Sequence, residues 1–211
     1  MKEEQAYKTI KNMIVQGKFS MQESISINGL AEEMNMSRTP VHKALAQLER
    51  EGYITITPQV GVFVRRPEPK EIQDRLQLCV AIDVFLAEQA SRSITELQLE
   101  ELKKVLEAME FPGVAADDYE ALNVQFHTII CKAADNDFAF RTNKINWDYL
   151  NYVNISDELF QGGNREQSQA EHRMIYYALK DRDTKLTELL VRKHLLRVAQ
   201  FITEKYKLVN A

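Results

Sequence analysis

Apolar residues keep two rhythms along this chain, and the change between them divides the sequence. Near the N-terminus Ala6, Ile10, Met13 and Ile14 fall at helical spacing, and Gly17 ends the run. Ser26 precedes a short helical stretch holding Leu30, Ala31 and Met34. Ser37 caps a third helix, with Pro40 in the first turn, where a missing N–H costs little. On that helix Val41, Ala44, Leu45 and Leu48 recur every three or four residues until Gly52 stops it. The rhythm then becomes alternation. Ile54 and Ile56 interleave with Thr55 and Thr57, Pro58 and Gln59 turn the chain, and Val60 to Val64 return, which predicts a β-hairpin. Pro67 and Pro69 interrupt the pattern. The expected organisation is one unit over 1–66, a linker over 67–70 and a second unit over 71–211.

Helical periodicity dominates the second unit, with roughly six helices and no strand signal of comparable strength. The first runs from about Glu71 to Arg92. Thr95 with Gln98 three residues on forms a capping box ahead of Leu99, Leu102, Leu106 and Met109. Pro112 and Gly113 separate this helix from one near Asp117 to Ala134, and a long segment from Asp137 to Phe160 ends at Gly162 and Gly163. Two more helices are expected from about Arg165 to Lys180 and Asp183 to Lys207. The fold class is therefore mainly α: an N-terminal winged helix-turn-helix and a C-terminal all-α helical bundle.

Composition narrows the setting. With 45% hydrophobic and 27% charged residues the chain reads as an ordinary soluble globular protein. It lacks an apolar run of about 18 residues, so no membrane span is expected. The charged N-terminus has no signal core, and two cysteines make no disulfide framework, which implies a cytoplasmic setting. The net charge of -4 argues against a protein coated in nucleic acid. The charge is unevenly placed, however. Residues 1–66 hold 9 Lys and Arg against 7 Asp and Glu, whereas 67–211 hold 18 against 24. That sign suits an N-terminal unit that meets phosphates and a C-terminal one that does not.

Three helices and a hairpin within about 65 residues follow the winged helix-turn-helix plan, whose recognition helix enters the major groove N-terminus first. The helix tip here offers Ser37 and Thr39 for phosphates, and Arg38 and Lys43 for phosphates or guanine edges. Its N-terminus adds a partial positive charge. The segment LAEEMNMSRTPVHKALAQLEREGYI from Leu30, with the wing PQVGVFVRR, resembles the DNA-binding domain of the GntR family of bacterial transcription regulators. That resemblance implies that Ser37, Arg38, Thr39 and His42 face double-stranded operator DNA, with Gly61 letting the wing tip approach the backbone. Family members commonly carry arginine at the positions of His42 and Asn28, so the operator or the affinity differs from the family norm. The likeness and the symmetry of helix-turn-helix proteins imply a homodimer on a pseudo-palindromic site.

A second constellation lies downstream. His127, His172 and His194 occupy three separate predicted helices, each on an apolar face. Burying three imidazoles without partners is costly, and a shared metal ion satisfies all three. Asn123, one turn before His127, is a fourth candidate ligand; Cys131, one turn after, is a rival that reads more simply as a small buried residue. The stretches NVQFH from Asn123, EHRMIYYALKDRD from Glu171 and KHLL from Lys193 resemble the FCD ligand-sensing domain of the FadR-like branch of the GntR family. By that resemblance Asn123, His127, His172 and His194 hold a divalent cation, and a His-rich N/O set suits zinc, nickel or manganese. It also implies a small-molecule effector, a carboxylate, held between the metal and an arginine on the first helix. The matching position here is Cys79, with Asp83 one turn on, so the effector is bound differently or is another molecule.

A three-histidine metal with open positions can also activate water, which makes a metal-dependent hydrolase or lyase the alternative. Glu171 adjoins His172 and on a helix points about 100° away from it, and the chain has no H-E-x-x-H, G-x-S-x-G or Gly-rich phosphate loop. The expectation is a regulator and not an enzyme.

Overall fold

The computed structural model describes residues 2–20, 23–152 and 159–209. The chain divides into two compact units, 1–68 and 69–211. The first contains α1 (Lys2–Val15), α2 (Ile27–Glu33), α3 (Arg38–Glu51), β1 (Ile54–Thr57) and β2 (Gly61–Val64). Ala6, Ile10 and Ile14 of α1 and Val41, Ala44, Leu45 and Leu48 of α3 are all buried where the two helices pack. Each fully buried Leu or Ile side chain contributes about 1.5–3 kcal/mol, enough to seat α3 despite its polar tip. Gly52 ends α3 in the left-handed conformation at φ 92°, a backbone state open to glycine.

The strands pair antiparallel, Ile54 opposite Val64 and Ile56 opposite Val62. Between them Thr57 accepts from the Val60 N–H at 3.1 Å. With Pro58 first and Gln59 second at φ 63°, the turn follows the type II pattern. The Ile25 N–H donates to the Val62 carbonyl at 2.7 Å and fastens the segment before α2 to the hairpin.

The second unit is a bundle of α4 (Pro69–Ser93), α5 (Glu96–Met109), α6 (Ala116–Ala133), α7 (Asp137–Tyr152), α8 (Gly162–Lys180) and α9 (Thr184–Val209). Helix α4 begins at Pro69, inside the stretch expected as linker, because proline fits a first helical turn. The expected run from Asp137 to Phe160 is described as α7 to Tyr152; residues 153–158 lie outside the described residues. The Thr95 capping box forms: the Gln98 N–H donates to Thr95 Oγ1 at 3.2 Å and the Thr95 N–H to Gln98 Oε1 at 2.9 Å. Helix α4 packs against α6, α7, α8 and α9. The core joins Val84 and Ala87 of α4, Leu102 of α5, Phe126 and Ile130 of α6, Ile175 and Leu179 of α8, and Leu195 of α9. Two polar residues interrupt the buried stripe of α4. Ser91 joins Thr184 through their hydroxyls at 2.9 Å, and Asp83 belongs to the cavity described below.

Candidate functional site

The tip of α3 carries its polar residues outward. Ser37, Arg38, Thr39, His42 and Lys43 are all exposed. Ser37 stands at the N-cap with extended backbone, yet its hydroxyl makes no capping hydrogen bond, which corrects the simple reading of it as a cap. The reason is Pro40. A capping serine accepts from the N–H of the second or third helical residue, and here the third is proline. Ser26 shows the contrast, since its hydroxyl accepts from the Gly29 N–H at 3.1 Å and caps α2. Ser37 and the first N–H groups of α3 thus stay open at the end where helix polarity favours an anion.

Arg38 and His42 line one hollow with Ser26, Asn28 and Gly61. It joins the recognition tip to the wing. Gly61 sits at φ 152°, and a Cβ there would overlap Ser24 Oγ, so the wing passes Ser24 only as glycine. Lys43 pairs with Glu3 at 3.1 Å, with both side chains about half exposed. An exposed pair of this kind is worth about 0–1 kcal/mol and yields readily to a phosphate.

In the bundle, His127 of α6, His172 of α8 and His194 of α9 converge, offering nitrogens within 4.8 Å of one another. His172 and His194 are buried and His127 is partly exposed. The Nε2 atoms of His172 and His194 lie 3.3 Å apart. Metal–nitrogen bonds of about 2.0–2.1 Å in a tetrahedron put ligand atoms about 3.3 Å apart, so the pair fits one shared ion. Burial lowers all three histidines, helped at His127 and His172 by neighbouring His194; His127 is pushed down to about 3. The rings are therefore neutral near pH 7, the form that ligates metal. His172 Nδ1 is buried without a hydrogen-bond partner.

Glu171 plays a part that the sequence reading discounted. It reaches across to α9, where His194 Nδ1 donates to its Oε2 at 2.6 Å. Arg197 clamps the same carboxylate, Nε to Oε1 at 2.9 Å and Nη2 to Oε2 at 2.6 Å, and Nη2 also reaches Ser168 Oγ at 2.8 Å. Burial pushes Glu171 up, but the bonds from His194 and Arg197 outweigh it and hold the carboxyl down at about 2. A carboxylate on Nδ1–H fixes the tautomer and leaves the Nε2 lone pair facing its neighbours, the usual outer support of a metal-ligating histidine. The sequence signal was the i, i+3 pair of His194 and Arg197 opposite an acid.

A cavity of about 390 Å³ opens beside the histidines, and its wall includes Asn123, His127 and His194. Asn123 thus shares the wall with two of the histidines. Cys131 lines the same cavity but is engaged with Asp83: its thiol donates to Asp83 Oδ1 at 3.3 Å, and burial raises it far above the ordinary thiol range. Cys79 is buried too, and among the described residues the wall holds no arginine. Asp83, also missed as a site residue, receives Asn143 Nδ2 at 2.5 Å and Trp147 Nε1 at 2.7 Å. Burial raises its carboxyl above the ordinary carboxylate range, and these donors offset that only in part.

A winged helix-turn-helix unit joined in one chain to an all-helical bundle is the architecture of a DNA-binding transcription regulator. Comparison with known proteins makes this specific. Residues 2–64 match the bacterial regulatory proteins of the gntR family, and residues 74–197 match the FCD domain. The chain belongs to the GntR family, in its FadR-like branch with a C-terminal FCD domain. It is 25% identical over 206 residues to the HTH-type transcriptional repressor RspR of Escherichia coli, covering 95% of this chain and 89% of that one. Its fold is similar to that of E. coli McbR/YncC, with a TM-score of 0.75 at 16% identity over 98% and 99% of the two chains. A GntR regulator from Rhodococcus gives a TM-score of 0.71 at 16% identity, covering 95% and 96%. RspR is a transcriptional repressor, and this chain, by its GntR and FCD family matches, is a DNA-binding transcription regulator and not an enzyme. Glu171, the acid beside His172, is held by His194 and Arg197 and is not poised to take a proton from bound water. No helix among the described residues is long and apolar enough to cross a membrane.

Proposed function

We propose that the protein is a homodimeric cytoplasmic regulator whose operator affinity is tuned by a small effector bound at a metal site in the FCD domain. Asn123, His127, His172 and His194 hold the divalent ion, with zinc, nickel or manganese suited to this donor set. The ion anchors the effector through an open coordination position. Effector binding then moves the protein between states of unequal operator affinity, which requires unequal affinity of the effector for those states. Ser37, Arg38, Thr39, His42 and Lys43 face the operator, and Gly61 brings the wing to the backbone.

One observation carries this reading: three histidine nitrogens within 4.8 Å, with a carboxylate fixing one ring, beside a cavity open to a small molecule. A gel-shift titration on an operator selected from random duplexes tests the DNA half. Arg38→Ala is expected to weaken binding by about 1–3 kcal/mol if the guanidinium reads a base. An unchanged dissociation constant would remove Arg38 from the interface.

A further inference from the structure

We propose that the effector carries a protonated amine, which docks on Asp83 and Asn143 within the cavity. The inference rests on the reading of this cavity as the effector site. Its starting point is a count of donors and acceptors. Asp83 is 6% exposed and stands in the cavity wall. Its Oδ1 accepts from Asn143 Nδ2 and Cys131 Sγ, and its Oδ2 accepts from Trp147 Nε1. All three donors are neutral. A carboxylate offers about four acceptor positions, so one remains, on Oδ2. Among the described residues no lysine or arginine pairs with this carboxylate.

Asn143 supplies the second observation. It is 2% exposed and lines the same cavity. Its amide orientation is settled by Asp83, because the flipped amide would set oxygen against carboxylate oxygen. Its Oδ1 is then buried without a hydrogen-bond partner. What is left unsatisfied here is one carboxyl acceptor position and one amide oxygen. Each is costly alone. An alkylammonium supplies N–H donors to both oxygens in a single group, and its charge favours the ionised carboxylate once it is bound. A carboxylate at this end would meet unpaired acceptors and offer them no donor. Phe140 and Trp147 stand in the same wall. Lys144, also in the wall, is paired with Asp148 at 2.8 Å.

The test uses the full chain with its metal content measured separately by elemental analysis. Isothermal titration calorimetry compares probes that share a metal-binding carboxylate and differ at the far end: γ-aminobutyrate against butyrate and succinate, and ω-aminohexanoate against hexanoate and adipate. The expected result is an amine-ended probe binding at least tenfold more tightly than its alkanoate, with the dicarboxylate weakest. Asp83→Asn is expected to erase the difference, although the wild-type series decides the question without any variant. Equal affinity within a set, preference for the dicarboxylate, or no binding by any probe overturns the proposal. A preference for the amine in protein that holds no metal would overturn the metal reading and leave this one standing. A full metal content with preference for dicarboxylates would do the reverse.

Discussion

Replacing Glu171 with glutamine removes one negative charge and almost nothing else. In the native protein the carboxylate sits between two donors, His194 Nδ1 at 2.6 Å and Arg197 Nη2 at 2.6 Å, and takes Arg197 Nε at 2.9 Å besides. A glutamine amide has a single oxygen to accept with, and its NH2 must face either the imidazole or the guanidinium. If it faces Nδ1, the imidazole loses the acceptor that fixes its tautomer, and Nε2 no longer reliably presents a lone pair to the ion. If it faces Arg197, a donor meets a donor beside a half-buried cation. Loss of such an outer partner costs about 10–100-fold in metal affinity, or about 1.4–2.7 kcal/mol. Because one carboxylate serves both partners, the upper half of that range is expected. Competition of zinc against a chromophoric chelator measures it, with Glu171→Asp as the partial rescue. Zinc affinity equal to wild type would show that Glu171 only ties α8 to α9 and has no part in orienting His194.

Two further outcomes follow from the same structure. In chelator-treated protein, burial and neighbouring His194 push His127 from its ordinary value near 6.5 down to about 3 in the folded state; between these values only the unfolded state takes the proton. Stability is therefore expected to fall as pH drops from about 6.5 toward about 3, by about 1.4 kcal/mol per unit for each such imidazole, and His172 and His194 shift in the same direction. Urea melts across that range giving a constant free energy would contradict the neutral buried cluster. At the other end of the chain, Ser26→Ala is expected to cost about 1 kcal/mol of stability because a working cap is lost, whereas Ser37→Ala leaves stability unchanged and weakens operator binding. Equal destabilisation by the two substitutions would mean that Ser37 is a cap after all.

The parts of this architecture governed by local rules were legible in the sequence. The stripes of α1 and α3, the Thr95 capping box and the hairpin around Pro58 depend on residues within a turn or two, and the structure forms each of them. The three histidines were legible because one apolar face on each of three helices leaves few places to point. What escaped were contacts across helices. Glu171 points away from His172 on its own helix, as periodicity requires, but only the packing of α8 on α9 reveals that this direction leads to His194. Likewise Asp83 gave no hint that Asn143 and Trp147, some sixty residues on, would donate to it. Ser37 was legible as an N-cap residue by position; the missing N–H of Pro40 decided that its hydroxyl would stay open.

Elemental analysis of purified protein, wild type beside His172→Ala, tests the central claim most directly. The account expects about one divalent ion per chain in wild type, as one ligand set requires, and a large loss in the variant with the fold retained by circular dichroism. Wild-type protein that stays metal-free after dialysis against zinc, nickel and manganese, or a variant as fully loaded as wild type, would contradict it.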